Sequence, residues 1–229
     1  ICDQLEDPKQ TKKIVKRGVT ELVTPGVSYN DKTLDLRSNN FLASIHMEKD
    51  KAGVSFLDVS TGEFLAAEGS WDYVNKLLQS FSPSEVIYQK QHKAAFSKRF
   101  SDAYFTFTLE DWVFTKTYTE DLLLKHFGTK SLKGYGVDQL DLGIIAAGAA
   151  LHYLNETQHN KVSHISTINR IEEENYVWMD NFTIRNLELI QSTGSNGVSL
   201  LDILDHTTSP MGARMLRRWI VLPLKEQKA

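Results

Sequence analysis

Between residues 41 and 68 three short β-rich runs follow one another with little chain between them, and this narrows the possible folds more than any other feature. Charged residues and Gly53 separate FLASIHME (41–48) from GVSFLDVS (53–60), the signature of a hairpin. Thr61-Gly62 then turns the chain into EFLAAE (63–68), so the economical reading is a three-stranded meander. Ser70 is placed to cap a helix in which Trp71, Val74, Leu77, Leu78 and Phe81 recur at helical spacing. Pro83 ends that helix, and EVIY (85–88) reads as a buried strand. A short helix through 93–100 and a strand around AYFTFTL (103–109) complete the order. Three strands, then helix, strand, helix and strand imply a mixed sheet with helices packed on its faces, an α/β class.

The second half reads as helices with marked ends. Thr119 is expected to open one, with Glu120 and Asp121 in its first turn, where the macrodipole favours negative charge. Leu122, Leu123, Leu124 and Phe127 form its apolar stripe and Gly128 closes it. After the turn at Gly134 and Gly136, Asp138 caps an alanine-rich helix from 139 to about 156, whose small residues allow close packing. Beyond a polar loop the chain is expected to be mainly helical. Asp180 caps FTIRNLELI (182–190), Ser199 and Asp202 form a capping box, and Ser209-Pro210 starts a last helix. On that helix Arg214, Arg217 and Arg218 read as a solvated face balancing Asp202 and Asp205. Upstream, a basic stretch (Lys9, Lys12, Lys13, Lys16, Arg17) leads to Thr24-Pro25-Gly26, a turn signal that marks a boundary.

Bulk charge gives no reason for nucleic-acid affinity, because the net charge is −3. Cys2 is the only cysteine, which excludes an internal disulfide and a cysteine zinc site. The opening residues lack a secretory apolar core, and the best apolar run, GIIAAGAAL (143–151), is half the length a membrane span needs. A cytoplasmic location with no membrane partner is therefore expected, and the sequons at Asn155 and Asn181 read as coincidence. Both ends look cut, so the chain is expected to be a fragment.

No catalytic, cofactor or metal residue is assigned. GTKSLKG (128–134) has the wrong residue order for a phosphate-binding loop. Asp58 in LDVSTGEF sits where a strand–turn–strand could present a metal-binding carboxylate, as in an RNase H-like metal-dependent nuclease. Its possible companions Glu63, Glu85 and Asp111 follow no recognisable spacing, so a turn-stabilising Asp58 is the plainer reading. His152 and His159 are too widely spaced for a usual zinc pair, with His164 in the loop beyond.

Six strings taken together have a further meaning: VTPGV (23–27), LDVSTGEF (57–64), HFGTKSLKGYG (126–136), AAGAALHYL (146–154), MDNFTIRNLELI (179–190) and LLDILDHTTSPMGARMLRRWIVLPL (200–224). In this order and spacing the chain resembles the bacterial MutS family from end to end, and ICDQLEDP (1–8) resembles the end of that family's mismatch-binding domain. The resemblance implies residues 1–24 as the tail of that domain, 25–176 as an RNase H-like connector, and 177–229 as the start of an all-α lever. It implies a non-catalytic part of a dimeric ATP-driven clamp that scans mismatched duplex DNA and recruits MutL. ATP and Mg would belong to the full-length protein, and no cofactor to this chain. The family's MutL-contacting surface maps onto Asp121, Leu122 and Lys125, near the start of the helix before the FGT string. The same mapping leaves the lever without later helices, so Leu187, Ile190, Leu201, Leu204, Leu216 and Trp219 are expected to be partly uncovered.

Overall fold

The computed structural model describes residues 2–4, 14–15, 17–19, 24–27, 35–100, 104–158, 162–194 and 197–226. Strands β1 (Cys2–Gln4) and β2 (Arg17–Val19) pair antiparallel, a hairpin that the sequence reading did not anticipate. Lys9, Lys12, Lys13 and Lys16 lie outside the described residues. The meander is present as β3 (Phe41–Met47), β4 (Lys51–Asp58) and β5 (Glu63–Ser70), antiparallel throughout. The Ser70 hydroxyl accepts from the Tyr73 amide and caps α1 (Trp71–Phe81), which ends at Ser82 in the left-handed region just before Pro83. Then come β6 (Glu85–Gln89), parallel to β3, α2 (Lys93–Arg99), and β7 (Thr106–Leu109), parallel to β6. A two-residue strand, β8 (Asn169–Arg170), adds parallel to β5 and gives the order β7-β6-β3-β4-β5-β8. The expected mixed sheet with flanking helices is therefore observed. β8 escaped notice because two exposed residues carry no alternation to read.

Side chains alternate across the sheet as the pleat requires. Phe41, Ala43, Ile45, Val54 and Phe56 face α1 and α2. Leu42, Leu57, Phe64, Ala66 and Ile87 face α3 (Lys116–Phe127) and α4 (Asp141–Gln158). α4 is buried on every side from Leu142 to Leu154 because it lies between the sheet and α3. Its small residues make this possible. A Cβ on Gly53 would stand 2.1 Å from the Leu142 backbone, and one on Gly148 would stand 2.3 Å from the Thr119 Cβ.

Two helix starts differ from expectation. α3 begins at Lys116, so Thr119, Glu120 and Asp121 lie beyond its first three residues. Thr119 is buried and its hydroxyl donates back to the carbonyls of Thr115 and Lys116, a bond made inside a helix and not at its cap. α4 begins at Asp141 and not at the residue after Asp138, since the chain first turns through a Leu140 N–H to Val137 carbonyl bond.

The last part contains α5 (Asn181–Asn186), α6 (Leu200–Leu204) and α7 (Pro210–Val221). Asp180 caps α5, Ser199 and Asp202 form the capping box, and Ser209 caps α7 with proline at its start, as read from the sequence. α5 stops well before Ile190. Glu188 takes φ +50°, and its carboxylate accepts from the backbone and hydroxyl of Thr193, bending the chain away from the helical path. Ile184, Leu189, Val221 and Leu222 form a small third core that shares Phe81 and Trp178 with the sheet's helical face. An isolated bridge between Tyr176 and Leu224 closes it.

Candidate interaction surfaces

The residues singled out for partner binding lie on α3. Asp121 and Lys125 are exposed and Leu122 is half-buried, while Leu123 between them is fully buried and anchors the helix to α4. Beside them the Tyr118 hydroxyl lies 2.8 Å from His152 Nδ1, and His152 Nε2 lies 3.5 Å from Glu156 on the next turn of α4. Trp112 stands edge-on to both rings with 55% of its surface exposed. Burial holds the His152 pKa below its ordinary value, with Glu156 opposing. This is a helix face with an open aromatic edge and a fixed polar chain, and sequence patterning gave no sign of Trp112 or Tyr118.

The second surface joins the helical part to the sheet. Arg218 of α7 grips Glu63 with both terminal nitrogens, at 2.5 and 2.6 Å. Asn39 donates to Glu63 at 3.2 Å and to Asp58 at 2.7 Å, so one amide connects the two carboxylates. Arg37 donates to both carboxylate oxygens of Asp205 at 2.8 Å and also reaches Thr207. Arg37 and Thr207 hold the Asp205 carboxyl down at about 2. Arg214 donates to the Leu36 carbonyl at 2.6 Å. Arg214 and Arg218 are therefore not a solvated face. Their partners lie about 155 to 178 residues earlier, beyond the reach of any local pattern, and Asp205 is engaged by Arg37 instead.

Asp58 is completely buried, and its oxygens accept from Asn39, the Asn40 and Ser60 amides and the Ser60 hydroxyl. The turn-stabilising reading holds. Glu85 is also completely buried and accepts from the Thr24 hydroxyl (2.5 Å), the Gly26 amide (3.0 Å) and the Tyr153 hydroxyl (2.7 Å). Burial, with Glu85 adding to it, raises the Tyr153 pKa, so the phenol remains a donor. A Cβ on Gly26 would fall 2.8 Å from that of Glu85, which explains the glycine in VTPGV. Among the described residues Asp111 accepts only a long bond, from the Gln91 amide. Among the described residues no group of three or more His, Cys, Asp or Glu is placed to hold a metal ion. With Asp58 and Glu63 bridged by the Asn39 amide, Glu63 also paired to Arg218, and Glu85 held by a separate donor set, the nuclease reading gains no support. His164 Nε2 meets the Val59 carbonyl, and His159 lies outside the described residues. Among the described residues no helix is long and apolar enough to cross a membrane.

These features define a class: a mixed-sheet α/β domain to which a helical extension is tied by ion pairs and a shared core, with surfaces suited to contact. The chain belongs to the MutS family of DNA mismatch-repair proteins. Residues 40–166 match the family description MutS domain II, and residues 182–229 match MutS domain III. It is 62% identical over 226 residues to DNA mismatch repair protein MutS of Cytophaga hutchinsonii, covering 99% of this chain and 26% of the relative. The counterparts from Flavobacterium psychrophilum (63%, covering 98% of this chain) and Parabacteroides distasonis (60%, covering 100%) are likewise spanned over 26% of their length. The chain thus spans about a quarter of the length of these relatives.

Proposed function

We propose that this chain is a non-catalytic coupling module of a MutS mismatch-recognition ATPase. Residues 25–176 act as an RNase H-like connector and 177–229 as the first part of a helical lever, with 1–24 the tail of the mismatch-binding domain. The observation that carries this reading is the two-pronged Arg218–Glu63 pair, which joins α7 to the end of the sheet hairpin. An antiparallel meander continued by two parallel strands from its first member is the arrangement an RNase H-like domain requires, and it supports the connector assignment. Mismatched DNA, ATP with Mg and the homodimer contacts belong on this reading to the rest of the longer protein. Movement in those parts reaches this chain through the tied interface.

The partner surface is the exposed side of α3, where Asp121, Leu122 and Lys125 meet MutL next to Trp112 and Tyr118. A half-exposed tryptophan beside a rigid helix is the kind of anchor on which binding energy concentrates. The test is binding of the 229-residue chain to MutL from the same organism, measured by biolayer interferometry. Asp121→Lys combined with Lys125→Glu should weaken it at least about tenfold, and Trp112→Ala by a similar factor. Unchanged affinity in both variants would remove this surface from the proposal.

A further inference from the structure

A cavity of about 540 Å³ lies where the C-terminal half of α1 meets α5 and α7. Arg217 and Arg185 line it, with Gln79, Asn181, Ser80 and the ring of Phe81, and no carboxylate of a described residue does. Arg217 is the unusual member. Its neighbours Arg214 and Arg218 are committed to Leu36 and Glu63, but Arg217 is half-buried and ion-pairs with no described residue. Burial lowers its pKa, with the Asp35 carboxylate opposing. A guanidinium remains charged in such a place, so the cavity holds a partly desolvated cation with no ion pair among the described residues. Ser80 also contributes to the wall, although its hydroxyl is sealed from solvent and has no hydrogen-bond partner among the described residues. Asp180, the acid nearest in sequence, is turned away to cap α5 through the Thr183 amide.

We propose that this cavity binds a small phosphorylated ligand, whose phosphate is held by Arg217 and Arg185. Two guanidiniums without a carboxylate match a dianion, and Arg geometry suits tetrahedral oxyanions. The volume is that of a small-molecule site and leaves room beyond the phosphate for an attached group against Phe81 and the amides of Gln79 and Asn181. The walls come from α1 on the sheet side and from α5 and α7 on the helical side, so an occupant draws the two parts together. The proposal does not depend on the coupling role above, and its failure would leave that role standing.

The experiment is a thermal-shift and calorimetric titration of the 229-residue chain with orthophosphate, glucose 6-phosphate, AMP and adenosine at matched ionic strength. Saturable binding of the phosphate-bearing probes, with a rise in Tm of several degrees and none with adenosine, is the expected result. A rise of that size is what about a hundredfold excess over Kd gives a domain of this length. Tighter binding of the esters than of orthophosphate identifies an ester as the natural form, and equal binding identifies the free anion. Arg217→Gln should abolish the shift while leaving the unliganded Tm unchanged or higher, because it removes a half-buried charge that makes no ion pair among the described residues. Arg185→Gln, on an exposed side chain that poses no risk to folding, should weaken binding at least about fivefold, as loss of one charged hydrogen-bond donor does. No saturable shift with any phosphate probe, or a shift retained in both variants, overturns the proposal.

Discussion

At Gly53 the difference between one hydrogen and one methyl decides whether α4 can reach the sheet. Gly53→Ala must push the Leu142 backbone away, so we expect a loss of roughly 1–3 kcal/mol, read as a lowered denaturation midpoint. Asp58→Asn places an amide hydrogen among groups that already donate, and should cost about 1–3 kcal/mol in a manner indifferent to chelators. A metal-dependent change in that cost would contradict the turn-stabilising role. His152 gives the molecule an acid-sensitive site. Its pKa is lowered by burial, so the unfolded chain binds the proton more readily, and stability should decline as pH falls below the ordinary value of 6.5. His46, lowered by burial in the same way, adds to the decline. Melting curves from pH 7.5 to 5 should show this trend, and it should lessen in His152→Gln.

At the level of elements, the capping box of α6 offers a clean test. Ser199 is fully buried and its hydroxyl accepts from the Asp202 amide, so Ser199→Ala should cost about 1 kcal/mol and speed amide exchange across Leu200–Leu204. Caps of this kind were readable because Ser, Asp and Pro act within four residues of where they stand. The meander and α1 were readable because alternation of period two gives way to helical spacing at Ser70. What failed was local in form and tertiary in cause. Thr119 has the composition of a cap, but Gly148 opposite it lets α3 continue one turn earlier. Glu188 has the composition of a helix, but its carboxylate serves Thr193 better than a further turn would serve the backbone. Asp121, Leu122 and Lys125 were identified by resemblance alone, and the rings beside them became visible only once α3 and α4 were placed together.

Across the whole molecule the helical part rests on two shared rings, Phe81 and Trp178, a few ion pairs and a short bridge. Arg218→Glu should destabilise this junction by about 2 kcal/mol and expose the chain after residue 177 to protease, with partial rescue by Glu63→Arg in the same chain. Failure of the double variant to recover would argue against a direct pairing. The outer side of the same helices is apolar: Met211 and Trp219 are 71% and 60% exposed, and Leu187, Ile203 and Leu204 are also open. Of the other residues expected to lose cover, Ile190, Leu201 and Leu216 are half-buried. Such a patch favours association, so sedimentation should show mass increasing with concentration, and Met211→Ser with Trp219→Ser should reduce it.

Glu85 gives the assembly a mechanical property. One enclosed carboxylate, carried by the first residue of β6, fastens the incoming segment at Thr24 and Gly26 and the α4 tyrosine in a single rivet. Tension applied ahead of Thr24 is therefore delivered as shear to β6, one strand in from the sheet's edge, and Thr24 and Gly26 cannot peel off without stripping a sealed acid of its donors.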